Sequence, residues 1–337
     1  MPIPTKTRAL AAFIAAASLV ATSTGCGTSG RQVYGEQQVD VLLDWTANPA
    51  HSGVLTAMDK GLDRKAGVKL SLRTPPSSSD GVRLLLSDRA DLAVMDIHDL
   101  AIARERGRDL VAVMSVVGRP LASLIAAPSV RRPSDLQGRR VAVSGAPSDT
   151  AVTAAIVRAD GGDPARVRIT PTGFATTEAL IGGRAAAATG FLNEEAVALT
   201  SRGRGFRVFR LEDSGAPAYP ELVLVATSKT IRERPEIVRA TVEAIAEGTR
   251  RAVADPDSTL RMLERRLPGA DRALLAARTR AALGAMLPPN GRAGSLDPTL
   301  MARWSTWEVD GGVVRRRPEI SRLMTTRFSD AQADSSN

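Results

Sequence analysis

The sequence predicts an α/β protein of two lobes, each a mainly parallel sheet flanked by helices, with a ligand cleft between them. Three observations carry this reading. Short apolar runs of strand length alternate with helix-length segments along most of the chain. The alternation comes in two similar blocks, the second set inside the first. The chain also has 337 residues, 43% of them hydrophobic, enough for two cores of ordinary domain size.

The first block opens with an apolar strand at Val39 to Leu43, and Gly53 to Lys60 is a helix ended by Gly61. Val68 to Arg73 is a strand closed by Thr74-Pro75-Pro76, and Ser79 or Asp80 caps a helix running to Ser87. Asp91 to Met95 is a short strand, His98 to Arg106 a helix stopped by Gly107, and Leu110 to Val117 the next strand. In the second block Leu121 to Ala126 and Val141 to Val143 are strands. The loop Ser144 to Thr150 then leads into a helix ending at Gly161-Gly162. Strand Val167 to Thr170, helix Thr176 to Ile181, a short strand at Ala185 to Thr189 and helix Asn193 to Thr200 follow. Leu222 to Ala226 returns as a strand to a long helical C-terminal region. The expected organisation is one discontinuous lobe from 39–121 plus 222–330, a second from 122–221, and a disordered tail at 331–337.

The N-terminus reads as an export signal. Lys6 and Arg8 precede an apolar stretch, Ala9 to Ala21, too short for a comfortable membrane span. It stops at Ser23-Thr24-Gly25-Cys26, small residues before the only cysteine, as in a lipobox. Residues 1–26 are therefore expected to be a lipoprotein signal peptide, with Cys26 the lipidated residue and 27–38 a flexible tether. The expected location is the extracytoplasmic face of the cell membrane.

Several function classes lose support. The net charge of +9 comes from arginines scattered among acids, with no basic run interleaved with aromatics, so no nucleic-acid partner is expected. One cysteine gives no disulfide framework, and two histidines, His51 and His98, do not compose a zinc site. No P-loop, H-E-x-x-H or G-x-S-x-G pattern occurs. The chain is therefore read as a non-enzyme without cofactor or metal.

In open α/β sheets, ligands lie beyond the carboxyl ends of the strands. Aromatic residues make up only 3% of the chain, yet Trp45, Phe174, Phe191 and Tyr219 all fall near predicted strand ends. Together they favour a stacking pocket for a flat ligand. Asn48-Pro49 marks a turn that brings Trp45 and His51 toward one opening, where His51 either bonds ligand or caps the next helix. His98, at a helix start, is read as structural. Ser144 opens a glycine-containing loop before a helix, a place that offers N–H groups to an anion. Glu194 and Glu195 open another helix, one of them placed to face the cleft.

These residues resemble a known family. Leu43-Asp44-Trp45-Thr46 with Asn48-Pro49-Ala50-His51-Ser52-Gly53 is similar to the opening signature, roughly L-D-W-x-P-N-x-x-H-x-G, of the thiamine-pyrimidine-precursor (NMT1/THI5-like) family. Arg119 to Leu124 resembles its crossover strand, Pro133 to Gly138 its P-x-D-L-x-G turn, Gly190 to Glu195 its G-x-W-N-x-E segment, and Gly215 to Leu222 its return strand. The matches keep their order over about residues 39 to 328.

The resemblance implies a periplasmic-binding-protein fold of type II that closes on a small heteroaromatic ligand. Such a binding protein hands its cargo to ABC permease subunits and works as a monomer. It further implies that Trp45 and Tyr219 line the ring, that His51 holds its edge, and that Asn193 and Glu195 pair with its nitrogens, leaving Glu194 on the helix surface. With Asn48, Ser144 and Phe191 these are the expected ligand-binding residues. Leu192 stands where the family commonly has Trp, and Ala47 where it often has Pro. A sulfonate- or nitrate-type binder of the same fold is the rival, using the Ser144 to Thr150 loop. A pyrimidine-synthase-like enzyme is disfavoured by the lack of a cysteine-rich stretch.

Overall fold

The computed structural model describes residues 36–76, 80–203 and 205–329. Cys26, the signal segment and the final tail lie outside them. The alternation of elements yields two five-stranded sheets with helices on both faces.

The first sheet contains β1 (Gln37–Leu42), β2 (Val68–Arg73), β3 (Leu92–Asp96) and β4 (Leu110–Val117). Helices α1 (Ser52–Asp59), α2 (Leu62–Lys65), α3 (Asp80–Leu86) and α4 (Ile97–Glu105) lie between these strands in sequence. The second sheet contains β5 (Ala122–Ala126), β6 (Arg140–Val143), β7 (Arg168–Pro171), β8 (Ala187–Phe191) and β9 (Arg207–Arg210). Its helices are α5 (Asp149–Ala159), α6 (Thr176–Ile181) and α7 (Val197–Thr200). The chain then returns to the first sheet through β10 (Leu222–Thr227). There follow α8 (Ser228–Glu233), α9 (Pro235–Ala254), α10 (Pro256–Arg266), α11 (Arg272–Met286), α12 (Pro298–Asp310) and α13 (Ile320–Leu323). None of the described helices is long and apolar enough to cross a membrane.

The strand orders are β2-β1-β3-β10-β4 and β7-β6-β8-β5-β9. They are one topology used twice: three parallel strands, one reversed strand, and a fifth at the edge. The reversed strands, β10 and β5, are the two that carry the chain between sheets. Each sheet is therefore mixed, with four strands running one way. The sequence reading lacked β9, whose short run Arg-Val-Phe-Arg carries too little apolar pattern to stand out.

Continuous apolar strands arise because both sheet faces are covered. In β3, Leu92 and Val94 pack into one core cluster while Ala93 and Met95 pack into the other. Strand β10 divides likewise, Leu222 and Leu224 to one side and Val223 and Val225 to the other. Helix α1 crosses α9 so closely that a Cβ on Gly53 would lie 2.1 Å from Thr249 Oγ1, and one on Gly248 would lie 2.2 Å from the Gly53 carbonyl. The glycine of the opening motif thus serves helix packing.

Candidate functional site

A cavity of about 140 Å³ lies between the lobes, at the carboxyl ends of β1, β3, β6 and β8. For comparison, an apolar cavity of about 150 Å³ holds one benzene ring. The space suits a single ring with small substituents.

Trp45 enters from the loop after β1 and Phe191 from the end of β8, one from each lobe. Phe174, just past β7, meets Trp45 edge to face, with centroids 3.9 Å apart and planes at 73°. A contact of this kind between lobes joins them at the cleft. Asn48 also lines the cavity, and its side chain accepts from the Ala50 N–H at 2.8 Å, starting the short turn that precedes α1.

The carboxylates are the most distinctive part of the wall. Asp96 ends β3 and caps α4, accepting from the His98 N–H at 2.7 Å. Asp99 accepts from the Ser148 N–H of the other lobe at 2.8 Å. Asp149 accepts from Gly145 N–H at 2.7 Å, Ala146 N–H at 2.9 Å and the Ser144 hydroxyl at 2.8 Å. The loop from Ser144 to Thr150 therefore has the N–H cradle expected of it, and the chain's own Asp149 fills it. Glu195 folds back to accept from the Phe191 N–H at 2.8 Å. It can do so because residue 190 is glycine: a Cβ there would sit 2.7 Å from the Glu195 side chain.

Three expected ligand contacts need correction. His51 is fully buried behind the wall, with Nε2 2.7 Å from Asp44 Oδ1 and Nδ1 accepting from the Asn48 N–H at 3.2 Å. It positions Asp44, which does line the cavity, and closes the turn before α1. Asn193 is also fully buried away from the wall, its amide 3.4 Å from Glu194 Oε1. Tyr219 is buried in the crossover region, edge-on to His98 with centroids 4.8 Å apart, its hydroxyl donating to Glu221 at 3.4 Å. Residue 219 precedes the return strand, so its ring is drawn into the seam between the lobes.

Glu194 is likewise misplaced by sequence. It lines the cavity rather than the helix surface, and Arg278 of α11 pairs with it at 3.2 Å. The segment Leu192–Ala196 is a single π-helical turn, which brings both Glu194 and Glu195 to the cleft. Asp99, Thr189 and Glu194 are wall residues that sequence reasoning missed. Asp96 follows a strand directly and was within reach of the strand-end rule, whereas Asp99 carried no signal.

Burial disfavours charge on these acids. It pushes the carboxyl groups of Asp96, Asp99 and Glu194 each up to about 8, and those of Asp149 and Glu195 upward. Behind Asp96 lies a second acidic group at the crossover. Glu221, fully buried, accepts the N–H groups of Leu121 and of Ala122, the latter at 2.8 Å. Asp96, His98 and Glu221 bring one atom each within 4.8 Å, the grouping among the described residues that has the form of a metal site. Here each is engaged by the fold, Asp96 as a helix cap, Glu221 as the crossover clamp, and His98 through Glu308 at 2.6 Å.

Two sheets of one topology, joined by two crossover segments with a ring-sized cavity between, define the periplasmic-binding-protein fold. Residues 48–259 match the family described as NMT1/THI5 like, and the chain belongs to that family. The formylaminopyrimidine-binding protein of Halalkalibacterium halodurans is 30% identical over 230 residues, covering 67% of this chain and 70% of that one. The 4-amino-5-hydroxymethyl-2-methylpyrimidine phosphate synthase of Uromyces fabae is 24% identical, over 65% of this chain and 68% of that one. Among solved structures, the alkanesulfonate-binding protein SsuA from Xanthomonas axonopodis pv. citri, bound to MOPS, superposes with a TM-score of 0.69 at 15% identity. It covers 87% of this chain and 99% of that one. These relatives correct the expectation that the chain is no enzyme. Synthases and a binding protein share the family, so the missing catalytic signatures and cysteine-rich stretch do not separate the two activities.

Proposed function

We propose that the protein is the extracytoplasmic solute-binding component of an ABC importer and captures a one-ring heteroaromatic solute, of the thiamine pyrimidine-precursor kind, between its lobes. The observation that carries this is the cavity itself: ring-sized, at the strand ends of both sheets, with Trp45 and Phe191 in its wall. The formylaminopyrimidine-binding relative supports the ligand class. In this reading the lobes, 39–121 with 222–330 and 122–221, close on the ligand and present it to permease subunits. The protein acts as a monomer tethered by lipid at Cys26. The sulfonate-type alternative is not favoured, since the N–H cradle it requires is occupied by Asp149.

Calorimetry with a panel of substituted pyrimidines tests the ligand, and Trp45→Ala tests the site. Removing a stacked, half-buried indole should weaken ring binding by about ten- to a hundredfold. Full affinity in that variant would place the site elsewhere. Release of the Cys26→Ser protein from membranes, with an acyl mass found on Cys26 as the first residue of the mature wild type, tests the anchor. A wild-type N-terminus at any other residue would sink it.

A further inference from the structure

We propose that the cleft takes its ring as a cation, selected by carboxylates that the fold holds in place but does not neutralise. This rests on the reading above that the cleft binds a heteroaromatic solute, and it adds the charge of that solute.

The ionisable side chains among the described wall residues are Asp44, Asp96, Asp99, Asp149, Glu194 and Glu195, all carboxyls, with no Lys, Arg or His among them. Four of the six have a basic group behind the wall. Asp44 is met by His51 at 2.7 Å and Glu194 by Arg278 at 3.2 Å, while Asp96 lies in the field of His98. Glu195 shares the field of Arg278, whereas Asp99 and Asp149 have no basic group beside them. Asp99 accepts from Ser148, Glu195 from the Phe191 N–H, and Asp149 from two backbone N–H groups and the Ser144 hydroxyl. An N–H bond fixes one oxygen and leaves the acceptor capacity of the carboxylate largely unused. The acids are thus oriented chiefly by the main chain, and no basic side chain enters the described wall to pair with them. Burial raises the proton affinity of these acids, and a cation bound beside them favours their ionised form.

Two further observations point to the same ligand. Thr189 Oγ1, buried on the cavity wall, makes no close hydrogen bond and only eases the charge on neighbouring Asp149. Trp45 and Phe191 offer ring faces that attract a cation as well as a flat ring. A ring carrying delocalised positive charge and N–H donors meets all of these at once. An anionic ring can stack there, but the neighbouring acids repel it.

Isothermal calorimetry on the full protein decides the matter with two rings of nearly equal shape: 4-aminopyridine, a cation at neutral pH, and 4-aminopyrimidine, which is neutral there. Benzenesulfonate serves as the anionic control. A charge-assisted hydrogen bond predicts tighter binding of the aminopyridinium by about tenfold or more, with no detectable binding of the sulfonate. Asp99→Asn and Glu195→Gln each keep one oxygen for the backbone N–H that holds it, so both variants should fold. Each should weaken binding of the aminopyridinium more than that of 4-aminopyrimidine, shrinking the preference for the cation. Equal or tighter binding of the neutral ring, still lost in Trp45→Ala, overturns the charge proposal and leaves the binding reading standing. Binding of neither ring, or ring binding indifferent to Trp45→Ala, overturns both.

Discussion

The cleft wall and the crossover behind it are both built from buried acids, yet the two regions balance their charge in opposite ways. At the crossover the fold supplies the balance. His98 is charged among Glu308, Asp96 and Glu221, and Tyr219, Trp304 and Trp307 surround its ring, with centroids 4.8, 5.9 and 6.1 Å away. Burial disfavours the imidazolium, but Glu308 outweighs it and the group is pushed up to about 10. In the cleft, Asp99 and Asp149 are held by the same kind of N–H bonds that hold Glu221, with no basic group alongside. Acids whose counter-charge comes from the chain are structural. Acids left without one, facing a cavity, are available to a ligand.

The largest effect should come from breaking the crossover. Glu308→Ala leaves a buried imidazolium without its partner, and loss of one member of a buried pair costs about 3–5 kcal/mol. Urea unfolding should show this as a large drop in stability. A loss well under 1 kcal/mol would mean that the crossover acids do not need His98 balanced, and the contrast with the cleft would fail.

A smaller effect separates the regions by pH. His98 titrates near 10 in the folded protein and near 6.5 when unfolded, so its contribution is complete below about pH 6.5 and is lost as pH rises through about 10. Asp96, raised to about 8, keeps a proton in the folded state that the unfolded chain has released above about pH 4, so it too favours the folded form less as pH rises to 8. Melting temperature should therefore fall from pH 7 to pH 10, and His98→Gln should flatten that limb. A wild-type melting temperature constant or rising over this range would show that the crossover holds no such proton.

The smallest expected effect lies in the cleft. Gly190→Ala places a methyl against Glu195 and forces it off the Phe191 N–H. Losing one such hydrogen bond should cost about three- to tenfold in ligand affinity. Folding stability should change little, because the displaced group already faces the cavity. A large fall in melting temperature with unchanged affinity would reassign Glu195 to the structure.

Much of the fold was legible because strand and helix periods follow from local chemistry. Apolar runs such as Leu92 to Met95 must be covered on both faces, and Gly53 and Gly138 mark close packing and a positive-φ turn. The P-x-D-L-x-G turn is local in the same sense, with Asp135 accepting the Arg131 N–H at 2.8 Å. Trp45, Asn48, Ser144, Phe191 and Glu195 could be placed near the cleft because they sit at strand ends, and strand ends converge by topology.

Sequence by itself thus determined the alternation of elements, the repeated block and the neighbourhood of the cleft. Only the tertiary structure decided which polar groups face the cavity. His51, Asn193 and Tyr219 belong to the same motifs as the wall residues but turn into the protein, because Asp44, Glu194 and Glu221 wait there as partners. Asp149 fills a cradle that otherwise reads as an anion site, and a π-helical turn brings Glu194 inward. Whether a charge is answered depends on residues far away in sequence: His98 meets Glu308 and Glu194 meets Arg278 only through folding. Local pattern cannot contain that pairing, because the electrostatic partner of a buried group is chosen by packing.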